Sequence, residues 1–406
     1  MSILSRTRPP FLKWWQSVLY CSFLFFTPGL TQADDMAYFS PDDRSGSSGA
    51  VRVEAVGLVH TEQTLPVDEN GQLKGDSVAD QFQLVLSRLD AAGQHVGGSL
   101  DQCAKLNVYL HRTEDADVVR TILAERFQGA HKPAVCYVTT KFALPDALVA
   151  ADAVMATQKP PAGPVDRFTA DSGRAACAVL SAGGRTYISG QAESGDIHTA
   201  TRKTLESLRE SLRFVHADLS HVVQIKSFLT PISDVAVVER EIRDFFGGQT
   251  PPPSVFVEWI SGATTPIEIE LIAAAPRATL PANAPPVEYL TPPGMTSPPI
   301  YSRITRVSAA DTIYVSGLYG SDNGPEEQVR EVFEQLTKLL QPTGSDLRHL
   351  VKATYYVSDE SVSAQLNAQR PNYYDPQRPP AASKAMVSGV GRHDRTLTMD
   401  MIAVPH

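Results

Sequence analysis

The residues YISGQAESG at 187–195 return as YVSGLYGSD at 314–322. Between the glycines the spacing is 317 − 190 = 127 residues, about the size of a small domain. A repeat of that length requires a chain built from like units. A third copy lies upstream, where LVHTEQTLP at 58–66 aligns with Glu62 in the glycine position, at 190 − 62 = 128. Each unit also ends alike, in a proline-led strand (KPAVCYV, PPSVFVEW, PPAASKAMV) followed by an apolar strand (LVAADAVMA, IEIELIAAA, LTMDMIAVP).

Between these landmarks each unit carries a one-sided helical stripe. The stripes are Val78, Phe82, Val85, Leu86 and Leu89; then Leu205, Leu208, Leu212 and Val215; then Val329, Val332, Phe333, Leu336 and Leu339. An alternating strand follows (CAKLNVYL, VVQIKSFL, VKATYYV), and unit two shows a second helix through Val235, Val238, Ile242 and Phe245. In unit three Pro371 interrupts the corresponding stretch. AGGR at 182–185 reads as a hairpin turn. The order is therefore hairpin, helix, strand, helix, two strands, an α+β layer with helices on one sheet face. The strands alternate too little for their other face to meet water, so three sheets are expected to pack on one another. The units span 45–157, 165–276 and 301–406, with a proline-rich linker at 277–300 that reaches roughly 75 Å if extended.

The net charge of −9 and pI near 5.6 argue against a nucleic-acid partner, since no basic patch offsets them. At the amino terminus Arg6, Arg8 and Lys13 precede the apolar run WWQSVLYCSFLFF and the small residues before Ala33. That is the pattern of a secretory signal over 1–33, so a periplasmic or secreted chain with no membrane span after cleavage is expected. An uncleaved anchor is the alternative, and a lipid-attached Cys21 a third. Past that segment Cys103, Cys136 and Cys177 are an odd set that closes no disulfide framework. No histidine pair has metal-ligand spacing, and His216 and His221 read as solvated loop residues, so no metal is expected. Nothing implies a cofactor.

With its SGQ turn, proline-led strand and IEIE strand, the chain resembles the Rid/YjgF family of enamine and imine deaminases. Unit two matches best, through YISGQ and IEIELIAAA. The resemblance implies a chorismate-mutase-like unit, three of which form a trimer with a central sheet barrel, outer helices and pockets between units. This chain would then be a covalent pseudo-trimer and a monomer. The spans from turn to proline differ, 133 − 62 = 71, 252 − 190 = 62 and 380 − 317 = 63, so the pockets cannot be equivalent.

The resemblance also implies an arginine on the proline-led strand that grips the substrate carboxylate. Val135, Ser254 and Ala382 stand there instead, which removes a charge-assisted pair worth on the order of 1.5 to 3 kcal/mol. The family's water-positioning glutamate matches Glu268, while Ala150 and Thr398 replace it elsewhere. Ser189, Gly190, Ser254, Ser316 and Gly317 are the candidate ligand-binding positions, Glu268 the candidate catalytic one. Arg303 reads as a relocated clamp or a surface arginine, Glu268 with Glu270 as pocket or salt-bridged carboxylates, and Cys136 as an inert core thiol rather than a nucleophile. Two functions follow. One is a protein that binds a small metabolite or serves as a scaffold, its deaminase sites degenerate; the other is an imine hydrolase of the 2-iminobutanoate/2-iminopropanoate type, acting at one pocket.

Overall fold

The computed structural model describes residues 35–169, 175–260, 264–276, 285–296, 298–309 and 311–406. The expected signal segment, 1–33, lies outside them. Unit one contains β1 (Met36–Asp42), β2 (Ser47–Val53), β3 (Gly57–Thr61), α1 (Val78–His95), β4 (Cys103–Leu110), α2 (Ala116–Arg126), β5 (Ala134–Thr139) and β6 (Val149–Thr157). Unit two runs through β7 (Val165–Thr169), β8 (Ala175–Leu180), β9 (Arg185–Gln191), α3 (Ile197–Phe214), β10 (Val222–Leu229), α4 (Val235–Phe246), β11 (Ser254–Glu258) and β12 (Ile267–Ala274). Unit three repeats the order with β13 (Val287–Leu290), β14 (Ile304–Val307), β15 (Thr312–Val315), α5 (Pro325–Leu340), β16 (Leu350–Val357), α6 (Glu360–Tyr373), β17 (Ala381–Met386) and β18 (Leu397–Ala403). Each unit thus gains a leading strand that the sequence did not announce. One of them, β13, lies inside the proline-rich stretch 277–300, which is therefore more than a connector; its residues 277–284 are outside the described set.

The apolar stripes become the buried faces of α1, α3 and α5. Ser77 caps α1 by accepting from the Asp80 amide, and Asp196 caps α3 by accepting from the Thr199 amide, each satisfying a donor that the first helical turn leaves over. Contrary to expectation, α6 continues through Pro371. The proline sits in the last turn, where its missing N–H removes one bond from a helix about to end.

Within each unit the third, last, fourth and proline-led strands lie side by side, as β3-β6-β4-β5, β9-β12-β10-β11 and β15-β18-β16-β17. β2, β8 and β14 pair with the leading strands β1, β7 and β13 and not with β3, β9 and β15 of their own units, so the hairpin reading, including the turn at 182–185, is corrected. Instead β8 pairs with β3 of unit one, β14 with β9 of unit two, and β2 with β15 of unit three. The exchange is cyclic. It places Val51, Leu180, Tyr187, Val307, Tyr314 and Ile402, drawn from all three units, in one apolar cluster, which a local hairpin would have kept apart.

The sheets do not close into the expected barrel. β5 and β2 meet by the single parallel pair Ala134 and Ser48, and Ala381 meets Ser302 by one bridge. At the three joints the Ser48, Ala175 and Ser302 amides donate to the carbonyls of Pro133, Pro251 and Pro380 (2.9, 3.1 and 3.0 Å). Proline returns no N–H, so the ladder stops there and leaves one twelve-stranded and one six-stranded sheet.

Where strands of the three units face one another the interior is charged. Asp152, Glu270 and Asp400 occupy matching positions on β6, β12 and β18, opposite Asn107, Lys226 and Thr354. Lys105 and Lys226 approach Asp400 (3.1 and 3.6 Å), Lys352 pairs with Glu270 (2.8 Å), and the Tyr109 hydroxyl donates to Asp152 (2.6 Å). Burial would raise the Asp400 carboxyl, but the Lys105, Lys226 and Lys352 ammoniums outweigh it and hold the group well below the usual carboxylate range. At Asp152 burial prevails over Lys226 and the Tyr109 bond, and its carboxyl is raised. These groups line a cavity of about 30 Å³ together with His60, whose imidazole burial and Arg185 push down to about 3, keeping it neutral.

Asp400→Asn should therefore leave buried ammoniums uncompensated and lower unfolding stability in urea by about 3 to 5 kcal/mol at neutral pH. As the Asp400 carboxyl is depressed in the folded chain, its contribution is present above the ordinary aspartate range and fades as pH falls through it. A variant with the stability of the parent would show that the ion pairs contribute nothing.

Candidate functional site

The register of β3, β9 and β15 against their last strands sets which residues are equivalent. Glu62, Ser189 and Ser316 donate their amides to Ala176, Arg303 and Gly49 (2.9, 3.0 and 2.8 Å). Glu62 therefore stands in the serine position, and Gln63, not Glu62, replaces the glycine; the spacings become 190 − 63 = 127 and 317 − 190 = 127. The same 127-residue offset holds further up the strand, where His60 and Tyr187 face Val154 and Ile272 of the last strands.

Each turn faces the proline-led strand of the following unit. The Ser189 hydroxyl donates to the Ser302 carbonyl (2.5 Å) and accepts from the Ala382 amide (2.7 Å). Ser316 does the same with Ser48 (2.6 Å) and Val135 (2.7 Å). Gly190 and Glu268 of unit two thus meet Ala382 and Ser383 of unit three. Ser254 is not in that cleft: its carbonyl accepts from the Gln63 amide (3.0 Å), between units one and two.

In the cleft between units two and three the Gly190 amide donates to the Ser383 hydroxyl (3.1 Å). A β-carbon on Gly190 would run into the Glu268 carboxylate and the Ser383 hydroxyl, so only glycine admits that carboxylate. Glu268 keeps some solvent contact at the cleft mouth, yet desolvation of its carboxyl raises its pKa to about 7. The Ser383 hydrogen bond and the charges of Arg303 and Lys384 lower it in part, and Glu270 adds to the rise. Both cations come from unit three and have partners of their own. Arg303 donates to the Thr296 carbonyl (2.9 Å) and lies over the Tyr301 ring. Lys384 donates to Ser363 (2.8 Å) and Asn367 (3.2 Å) of α6, and its pKa is lowered by burial and by Arg370. The sequence offers Lys384 as a cation two residues beyond Ala382 on the same strand, a position that the family's arginine motif does not mark.

The cleft between units one and two keeps a cavity of about 40 Å³ lined by Gln63, Leu65, Lys141, Phe142, Ile232 and Phe256. Between units one and two the Gln63 side-chain oxygen accepts from the Phe256 amide (3.2 Å), and Lys141 pairs with Glu258 (3.3 Å). Between units three and one Gly317 packs against Thr398 and Cys136. Cys136 is fully buried and burial pushes its thiol up to about 11, so the structure agrees with an inert core cysteine. Glu270 belongs to the charged interior and is separate from the cleft. His221 bonds to Asp218 (2.9 Å) rather than facing solvent alone.

The endoribonuclease L-PSP family model matches three times, at residues 47–156, 172–275 and 296–404. The chain belongs to that family, the Rid/YjgF family, as three divergent tandem copies. The mitochondrial protein mmf2 of Schizosaccharomyces pombe is 31% identical over 106 residues, 24% of this chain and 84% of that protein. Among solved structures, the Rid protein YyfB of Yersinia pestis is 21% identical, with 30% of this chain and 98% of that chain covered and a TM-score of 0.28. A YjgF-family protein of Neisseria meningitidis is 24% identical, covering 30% and 95%, with a TM-score of 0.23.

Observed by carboxyl NMR, Glu268 should titrate near pH 7, with Glu268→Gln removing the signal. The folded chain holds this proton more tightly than the unfolded one, so the group's contribution to stability declines as pH rises from about 4.5 to about 7. A midpoint near 4.5 would show that the carboxyl is not desolvated.

Proposed function

We propose that the chain is an exported, monomeric pseudo-trimer that binds one small carboxylate-bearing metabolite in the cleft between units two and three. The other two clefts join units. The observation that carries this reading is the raised Glu268 carboxyl held against Gly190 and Ser383 within electrostatic reach of Arg303 and Lys384. A protonated Glu268 does not repel an incoming carboxylate, and Lys384 can leave Ser363 to meet it. The acidic chain disfavours a role on nucleic acid.

Hydrolysis of an imine in the same cleft is the second reading, favoured because an acid of pKa about 7 can pass a proton in either direction at neutral pH. Ammonia release from a 2-aminoacrylate-derived imine, lost in Glu268→Gln, would establish it.

Calorimetric titration with pyruvate tests binding. Affinity should fall by about tenfold or more in Lys384→Ala, the size expected for a charge-assisted contact. Ala382→Arg, which returns the family's guanidinium to this cleft, should raise it, while Ser254→Arg should not. Heat from pyruvate that is unchanged in Lys384→Ala and Glu268→Gln would refute this site.

A further inference from the structure

A second cluster lies away from every cleft, where the end of β18 passes the turn before β16. Asp346 caps that turn, accepting from the Arg348 amide (2.8 Å), and His349 directs Nδ1 at the same carboxylate oxygen (2.7 Å). The amide of Val404 donates to the His349 carbonyl (3.1 Å) and that of His406 to the Gly344 carbonyl (3.0 Å). These bonds bring the His406 ring to 5.6 Å from that of His349, tilted by 51°. One ligand atom from each of Asp346, His349 and His406 lies within 4.8 Å of the others.

We infer that Asp346, His349 and His406 form a binding site for one divalent ion of the zinc class. Imidazole and carboxylate are the donors such an ion takes, at about 2.0 to 2.2 Å. An ion seated between the Asp346 carboxylate and His349 replaces their hydrogen bond: the Nδ1 proton moves to Nε2, and the Nδ1 lone pair that faces Asp346 becomes the donor. Drawing the donors to bonding distance needs a closure of about an ångström, which half-buried His349 and exposed His406 can supply through their side-chain torsions. Unit two contains an internal control. There Asp218 and His221 make the same pair (2.9 Å) at the same place in the fold, and no third donor joins them among the described residues. The Asp–His pair is thus a cap that the repeat uses anyway; His406 is what converts it. A bound ion would tie the end of β18 to the turn before β16.

The test uses the full chain, freed of metal with a chelator and carrying no affinity tag, titrated with zinc chloride and separately with cobalt chloride. One saturable equivalent is expected, with visible cobalt bands of a four-coordinate ion. His406→Ala and His349→Ala should each weaken zinc by about tenfold or more, and His221→Ala should not. Absence of saturable zinc uptake, or uptake unchanged in His406→Ala, would overturn the inference. Because His406 is exposed and makes no core contact, that variant decides the matter even where His349→Ala is unstable.

Discussion

Each of β3, β9 and β15 pairs on one side with the last strand of its own unit and on the other with β8, β14 or β2, the second strand of the next. The rest of the structure depends on this cyclic exchange. A second strand without its neighbour would expose a row of unpaired backbone groups. The exchange also sets which turn meets which proline-led strand, and so determines that Ser189 bonds to unit three and Ser316 to unit one.

The exchange draws the strands of the three units together over a charged interior. Three ammoniums and three carboxylates from matching strands are buried there, with pairings that break the symmetry: Asp400 faces two lysines, Glu270 one, and Asp152 a tyrosine and an asparagine. Such groups cost desolvation and are tolerated only when paired, so they favour one arrangement of the sheets over shifted ones. The clefts have diverged in the same manner. One keeps glycine, glutamate and nearby cations, one has Gln63 bonded to Phe256 beside a small cavity, and one is packed around Cys136.

Elements with a local signal were legible in the sequence. Val78 to Leu89, or Leu205 to Leu212, repeat at the helical period whatever surrounds them, and helices formed there. The strand exchange was not legible, because β8 and β9 have the same apolar pattern whether they pair with each other or with neighbours. Motif alignment also puts Glu62 where strand pairing puts Gln63, and it groups Ser254 with Gly190 by unit although the fold separates them. The interior charges were visible as an acid within each final strand and Lys105, Lys226 and Lys352 on the middle ones. Without the exchange there was no reason to bring them together. His349 and His406 are distant in sequence, and spacing rules for metal ligands cannot register such a pair.

The account's central claim is that one chain supplies, through its three units, the partners that separate chains would otherwise provide. Sedimentation equilibrium on the purified chain tests it most directly. A mass at or just below 44.0 kDa, that of one chain with or without its first residues, is the predicted result. A stable assembly of three chains would contradict it, since the cyclic exchange would then have to be completed between molecules rather than within one.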